Sequence, residues 1–115
     1  MKLLYISGPF GHADPIHGIE ANILRASEIA LEAWRKGWAA ICPHKNTAGF
    51  QHTDIPWETW MEGDIEMVKK CDAVLMIPGW EQSRGACLER DEARRAGVLV
   101  LDYRNGIPSP DGVLR

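Results

Sequence analysis

Four short, almost continuous apolar runs, each set apart from the next by a longer polar and helical stretch, constrain this chain more than any other feature. They are Leu3 to Ser7, Trp38 to Cys42, Ala73 to Ile77 and Val98 to Leu101. A strand with one wet face alternates apolar and polar residues, whereas unbroken runs suit parallel strands covered on both faces. The stretches between them carry the helical period. From about Gly18 to Lys36, Ile19, Ile23, Ala26, Ala30 and Ala33 fall on one face, with Glu20, Glu28, Glu32 and Lys36 off it and Gly37 placed to end the helix. A second helix is expected over about Pro56 to Lys70, with Asp54 as its cap. A third is expected over about Arg84 to Ala96, capped by Ser83 and ended by Gly97. Strands alternating with helices imply right-handed crossovers and an α/β fold. That fold is a single doubly wound parallel sheet, flavodoxin- or Rossmann-like, with helices on both faces. At 115 residues the expectation is one domain, 1–115, with one site. The tail from Asn105 to Arg115, with Pro108, Pro110 and two glycines, reads as irregular and packed on the surface or against a partner chain.

Composition narrows the function classes. The net charge is −3 with acids and bases interspersed, so no basic stripe marks a partner made of nucleic acid. No apolar run reaches the roughly 20 residues of a membrane span. The run at Met1 to Ser7 meets Gly8-Pro9 too early for a signal peptide. Cys42, Cys71 and Cys87 are odd in number and widely spaced, which suits reduced core residues of a cytoplasmic protein. No histidine pair has ligand spacing and the acids form no calcium loop, so neither a metal nor a cofactor is expected.

In sheets of this class ligands bind beyond the carboxyl ends of the strands, near the switch in strand order. The loops to search are therefore Ser7 to His17, Pro43 to Ile55, Pro78 to Ser83 and Asp102 to Gly106. Two acids break the helical patterns beside them. Asp64 falls among Trp57, Trp60, Met61, Met67, Val68 and Cys71 on the apolar side of the second helix. Glu89 lies between Ala86 and Ala93 on the inner face of the third, a face that Ala96 extends. A buried carboxylate needs hydrogen bonds, a shifted pKa, an arginine partner or a cavity. Two acids facing one pocket suit glycosyl chemistry, with one attacking the anomeric carbon and the other handling protons or orienting the sugar. The start of the third helix, with Ser83, could hold an anionic group, and Gly85 allows either close ligand approach or tight helix packing.

Three segments carry a family resemblance: Tyr5-Ile6-Ser7-Gly8-Pro9, Asp64 ahead of Cys71-Asp72-Ala73-Val74, and Gly79-Trp80-Glu81-Gln82-Ser83-Arg84-Gly85-Ala86 leading to Glu89. Together they resemble the nucleoside 2-deoxyribosyltransferase-like superfamily, which also holds the 2′-deoxynucleoside 5′-phosphate N-hydrolases. The likeness is greatest to an uncharacterised branch common in phage and prophage sequences. The resemblance implies a small-molecule nucleoside or nucleotide as partner, and a homo-oligomer that completes its sites across an interface. It implies Glu89 as the nucleophile on C1′, Asp64 as the acid that binds sugar and assists at the base, and Tyr5 as the group orienting the nucleophile. Ser7, Gly8, Pro9, Ser83, Arg84 and Gly85 match loops that bind the sugar or its 5′-phosphate. The chain departs from its relatives at Cys87 and Asp91, where they tend to have glycine, and its first loop has no arginine; His12 or Lys45 could substitute.

Other readings compete. A non-catalytic nucleotide-sensing module could keep the same pocket. Asp14-Pro15-Ile16-His17-Gly18 resembles part of a nucleotidylyltransferase signature, but Glu20 stands where its second histidine belongs. Tyr5 also reads as a core residue of a central strand. Trp34, Trp38, Trp57 and Trp60 sit where rings seal a core or a subunit interface, and Trp80 is expected in a loop at the pocket mouth, where it could stack on a base.

Overall fold

The computed structural model describes residues 1–11, 18–50 and 53–114. Strand β1 (Leu3–Ser7) leads to helix α1 (Gly18–Arg35), strand β2 (Ala39–Ile41) and the one-turn helix α2 (Pro43–Asn46). Helix α3 (Trp57–Lys70), strand β3 (Ala73–Met76), a 3₁₀ turn (Trp80–Gln82), helix α4 (Arg84–Arg95) and strand β4 (Leu99–Asp102) follow. A second 3₁₀ turn (Tyr103–Asn105) and the short helix α5 (Pro110–Val113) complete the described chain. All pairings are parallel and the order is β2-β1-β3-β4. The fold is the expected doubly wound α/β sheet.

Strand alternation sorts side chains between two layers. Leu4 and Ile6 of β1, with Ala73, Leu75 and Ile77, pack with Ala26, Ile29, Ala30 and Ala33 of α1. Tyr5, Val74 and Met76 turn the other way and meet Val68 of α3 and Ala86 and Ala93 of α4. The inner strands β1 and β3 are almost wholly buried, while the edge strands are half-buried. The chain steps from β1 outward to β2 and then back past it to β3, so the switch point lies between β1 and β3.

Several boundaries differ from expectation, and hydrogen bonds give the reason. Strands β2 and β4 each begin one residue late, because Trp38 N–H donates to Ala33 O and Val98 N–H to Ala93 O. Each bond closes a helix over a left-handed glycine, Gly37 at φ +100° and Gly97 at φ +75°. The donor that would open the strand is thus already used. Ala96 sits in the same turn and is exposed, outside the buried face of α4. Asp54 does not cap α3: Pro56 occupies the N-cap, and its carbonyl accepts from Thr59 and Trp60.

The buried face of α1 includes Asn22 and Ile29, whereas Ile19 and Ile23 are half-buried. The loop expected after β2 opens with α2, which Pro43 starts at its first position. The tail expected to be irregular contains the second 3₁₀ turn and α5, and it is tied down. Ile107 is 6% exposed, and Trp38 Nε1 donates to Pro108 O at 2.7 Å. Among the described residues no helix is long and apolar enough to cross a membrane.

Candidate active site

Beyond the carboxyl ends of β1 and β3 lies an open cleft of about 910 Å³. Its mouth is fixed by two glycines. A Cβ on Gly8 would come within 2.2 Å of Ile77 Cγ1, and one on Gly79, at φ +92°, within 2.8 Å of Pro9 Cγ. The loops after β1 and β3 therefore touch through backbone that only glycine provides.

Glu89 closes the floor. Spacing of three and four residues puts Ala86, Glu89 and Ala93 on the buried face of α4, and Glu89 is 5% exposed. The period of two along β1 sends Tyr5 and Ser7 toward that same face. Ser7 Oγ donates to Glu89 Oε1 at 2.7 Å, and Tyr5 Oη donates to Oε2. Both carboxylate oxygens are thus held by hydroxyls from one strand. Burial pushes the Glu89 pKa up to about 7; the two hydroxyl donors pull it down and the nearby charge of Asp64 raises it further. Tyr5 is pushed well above the usual phenol range by burial and by the neighbouring acids.

Asp64, on α3, lines the cleft with Glu89 and is half-buried. Burial raises its pKa to about 6. Helices α3 and α4 can bring the two acids to one cavity because α4 presents a glycine where they pass. A Cβ on Gly85 would stand 3.1 Å from Met61 Sδ. Gly85 thus packs against α3 and also lines the cleft. Ser83 caps α4, accepting from Ala86 N–H at 3.2 Å, and lines the cleft with Arg84 and Gly85. The Arg84 guanidinium lies 4.6 Å from the centroid of the Trp57 ring.

The structure brings Tyr5, Asp64 and Glu89 together with Ser7, Gly8, Pro9, Ser83, Arg84 and Gly85. Tyr5 and Ser7 stand beneath the floor rather than lining it. Trp80 goes elsewhere. It follows left-handed Gly79 and packs against the second core cluster, with Arg90 over its ring at 5.0 Å. It lines a separate pocket of about 190 Å³, so its expected place at the cleft mouth is not where it lies. Lys45 is exposed and is not among the residues lining the cleft. His12 and the Asp14-to-His17 segment lie outside the described residues.

Residues 2–102 match the family model described as a domain of unknown function, DUF4406. The chain belongs to the DUF4406 family. A comparison with curated protein sequences finds no match. Among solved structures, a 2-desoxiribosyltransferase from Leishmania mexicana superposes with a TM-score of 0.62 at 17% identity, covering 89% of this chain. A 2-deoxyribosyltransferase from the psychrotolerant bacterium Bacillus psychrosaccharolyticus gives 0.59, also at 17% identity, over 87% of this chain. This DUF4406 chain spans 63% of the first protein's length and 70% of the second's. At that identity the likeness establishes a shared fold.

The DUF4406 cleft also holds residues that the sequence did not single out. His44, 3% exposed at the start of α2, faces the β1 loop, and its Nε2–H donates to Pro9 O at 2.9 Å. Burial pushes its pKa down, so the ring is neutral near pH 7. Its position directly after β2 was the available signal. Asn22 Nδ2 reaches the carbonyls of Phe10 and Gly11 at 3.5 and 3.4 Å, and Arg25, one turn on, lines the cleft. Trp57 and Trp60, expected to seal a core or interface, line the same cleft with Phe50 and Ile55.

Proposed function

We propose that this protein cleaves the N-glycosidic bond of a 2′-deoxynucleoside or its 5′-monophosphate, with Glu89 as nucleophile and either water or a second base as acceptor. The observation that carries the reading is the double clamp of Tyr5 and Ser7 on the Glu89 carboxylate. It sits at the floor of a cleft large enough for a nucleotide, with a second carboxyl group on the facing helix. The shared fold with 2-deoxyribosyltransferases supports it.

One Glu89 oxygen attacks C1′ as the C1′–N bond breaks, and the bonding pair leaves on the base nitrogen, which takes a proton with help from Asp64. Water or an acceptor base then attacks C1′, and Glu89 departs as a carboxylate. Tyr5 and Ser7 fix the rotamer of Glu89 and favour its ionised form. Gly8, Pro9, Ser83, Arg84 and Gly85 line the side of the cleft where the sugar and its 5′ substituent bind. We read the chain as one domain acting in a cytoplasmic homo-oligomer, in which a second copy closes the open side of the cleft.

Chromatography of free base after incubation with a panel of deoxynucleosides and their monophosphates tests this. Wild-type protein is expected to release base, and Glu89→Ala to lose at least about 10³-fold of that rate. Folded wild type that releases no base from any member of the panel overturns the reading.

A further inference from the structure

The glycosidase reading leaves the leaving group unassigned, and the cleft wall bears on it. Trp57, Trp60, Met61 and Asp64 lie along one face of α3 at helical spacing, and all four line the cleft. Phe50 stacks on Trp60 with ring centroids 6.1 Å apart and planes 27° from parallel. Phe50 is 47% exposed, Ile55 42% and Trp57 40%, and all three line the cleft. Arg84, flat and cationic, already lies across Trp57 at the outer end of the wall. The other end is Asp64, which lines the cleft with Glu89.

We infer that the Trp60 ring, backed by Phe50, is the platform on which the leaving base stacks, and that it selects fused bicyclic bases of the purine type over single-ring bases. The inference rests on the glycosidase reading for where the reacting carbon lies. From Asp64 back to Trp60 is four residues, about 6 Å along a helix axis. A base whose glycosidic nitrogen sits at the two carboxyl groups must extend across that gap to overlap the indole. A fused double ring covers more of that gap, and so more of the indole, than a single ring does. Trp60 is therefore a specificity residue rather than a catalytic one. Phe50, Ile55 and Met61 complete an apolar wall, so overlap of ring faces dominates there over hydrogen bonding to base edges. Stacking of this kind tolerates different purines, because they present π faces of similar size. Adenine, guanine and hypoxanthine should accordingly bind within a few-fold of one another.

Titration calorimetry with free adenine, hypoxanthine, cytosine and thymine tests the platform without requiring turnover. Wild type is expected to bind the purines at least about tenfold more tightly than the pyrimidines. Trp60→Ala is expected to lose roughly tenfold in purine affinity with little change for pyrimidines, and Trp60→Phe to recover part of it. Thermal melts establish that each variant is folded. Equal or tighter pyrimidine binding, an unchanged purine-to-pyrimidine ratio in folded Trp60→Ala, or no binding of any base by wild type overturns the inference. Base release by the same wild-type protein from purine deoxynucleosides and their monophosphates separates it from the reading beneath it. Trp60-dependent purine binding by a wild type that turns over no substrate sustains the platform and removes the glycosidase.

Discussion

Glu89 is an ionisable group in a place that disfavours its charge, and two hydroxyls from β1 decide how much of that charge survives at neutral pH. Burial pushes the Glu89 pKa up to about 7, moderated by Tyr5 and Ser7, so its ionised fraction grows with pH through the neutral range. Turnover should therefore rise with pH through an acid limb near 7. Removing Asp64 charge with Asp64→Asn should move that limb to lower pH, while cutting the rate by roughly 10²-fold through lost proton handling. Ser7→Ala and Tyr5→Phe each remove a donor to the ionised form, so they should move the limb to higher pH. A pH–rate profile of kcat for the four proteins reads all three shifts.

Stability carries the opposite signature. The folded-state pKa of Glu89 lies above the ordinary 4.5, so the unfolded chain releases its proton first as pH rises. Below about pH 4.5 the group costs nothing, and between there and pH 7 it destabilises the fold by roughly 3 kcal/mol, at 1.36 kcal/mol per pH unit. Urea unfolding of wild type and Glu89→Gln should diverge over that window, with the variant gaining relative stability as pH rises.

The elements hold the site through two kinds of contact, and these differ in how far the sequence disclosed them. The cap of α4 is local: Ser83 accepts the Ala86 N–H, and Ser83→Ala should cost about 1 kcal/mol in chemical denaturation. Such a cap can be read from a serine ahead of a helical pattern. The inward direction of Glu89 and Asp64 was legible for the same reason, since each acid interrupts an apolar period. The Gly8 contact is non-local. Gly8→Ala would drive a Cβ to within 2.2 Å of buried Ile77 and should cost about 1–3 kcal/mol by the same measurement. Nothing near Gly8 in the chain names Ile77. His44 escaped for a like reason, because its partner is a carbonyl 35 residues away, and side-chain patterns do not announce backbone acceptors. The apolar face of Trp57 and Trp60 is visible in the sequence, whereas the cleft in front of it depends on segments distant in the chain. Trp80 differs in the reverse sense: it follows left-handed Gly79 and packs against the second core cluster instead of lining the cleft.

At the scale of the whole molecule, the strand order accounts for the location of the candidate site. Four unbroken apolar runs fixed parallel strands in the reading of the sequence, but their order, β2-β1-β3-β4, depends on pairings between distant segments. That order sets β1 beside β3, passes α1 over one layer and α3 and α4 over the other, and opens the cleft between them. Tyr5 and Ser7 thereby meet an acid more than 80 residues further along the chain. The central claim is that this acid forms a covalent bond to the sugar, and capture of that bond tests it most directly. Wild-type protein quenched in acid during turnover of a deoxynucleoside or its monophosphate, then digested and analysed by mass spectrometry, should carry the deoxyribosyl group on the peptide containing Glu89. Glu89→Gln should carry none. Base release by Glu89→Gln at the wild-type rate, or an adduct found on a different residue, contradicts the account.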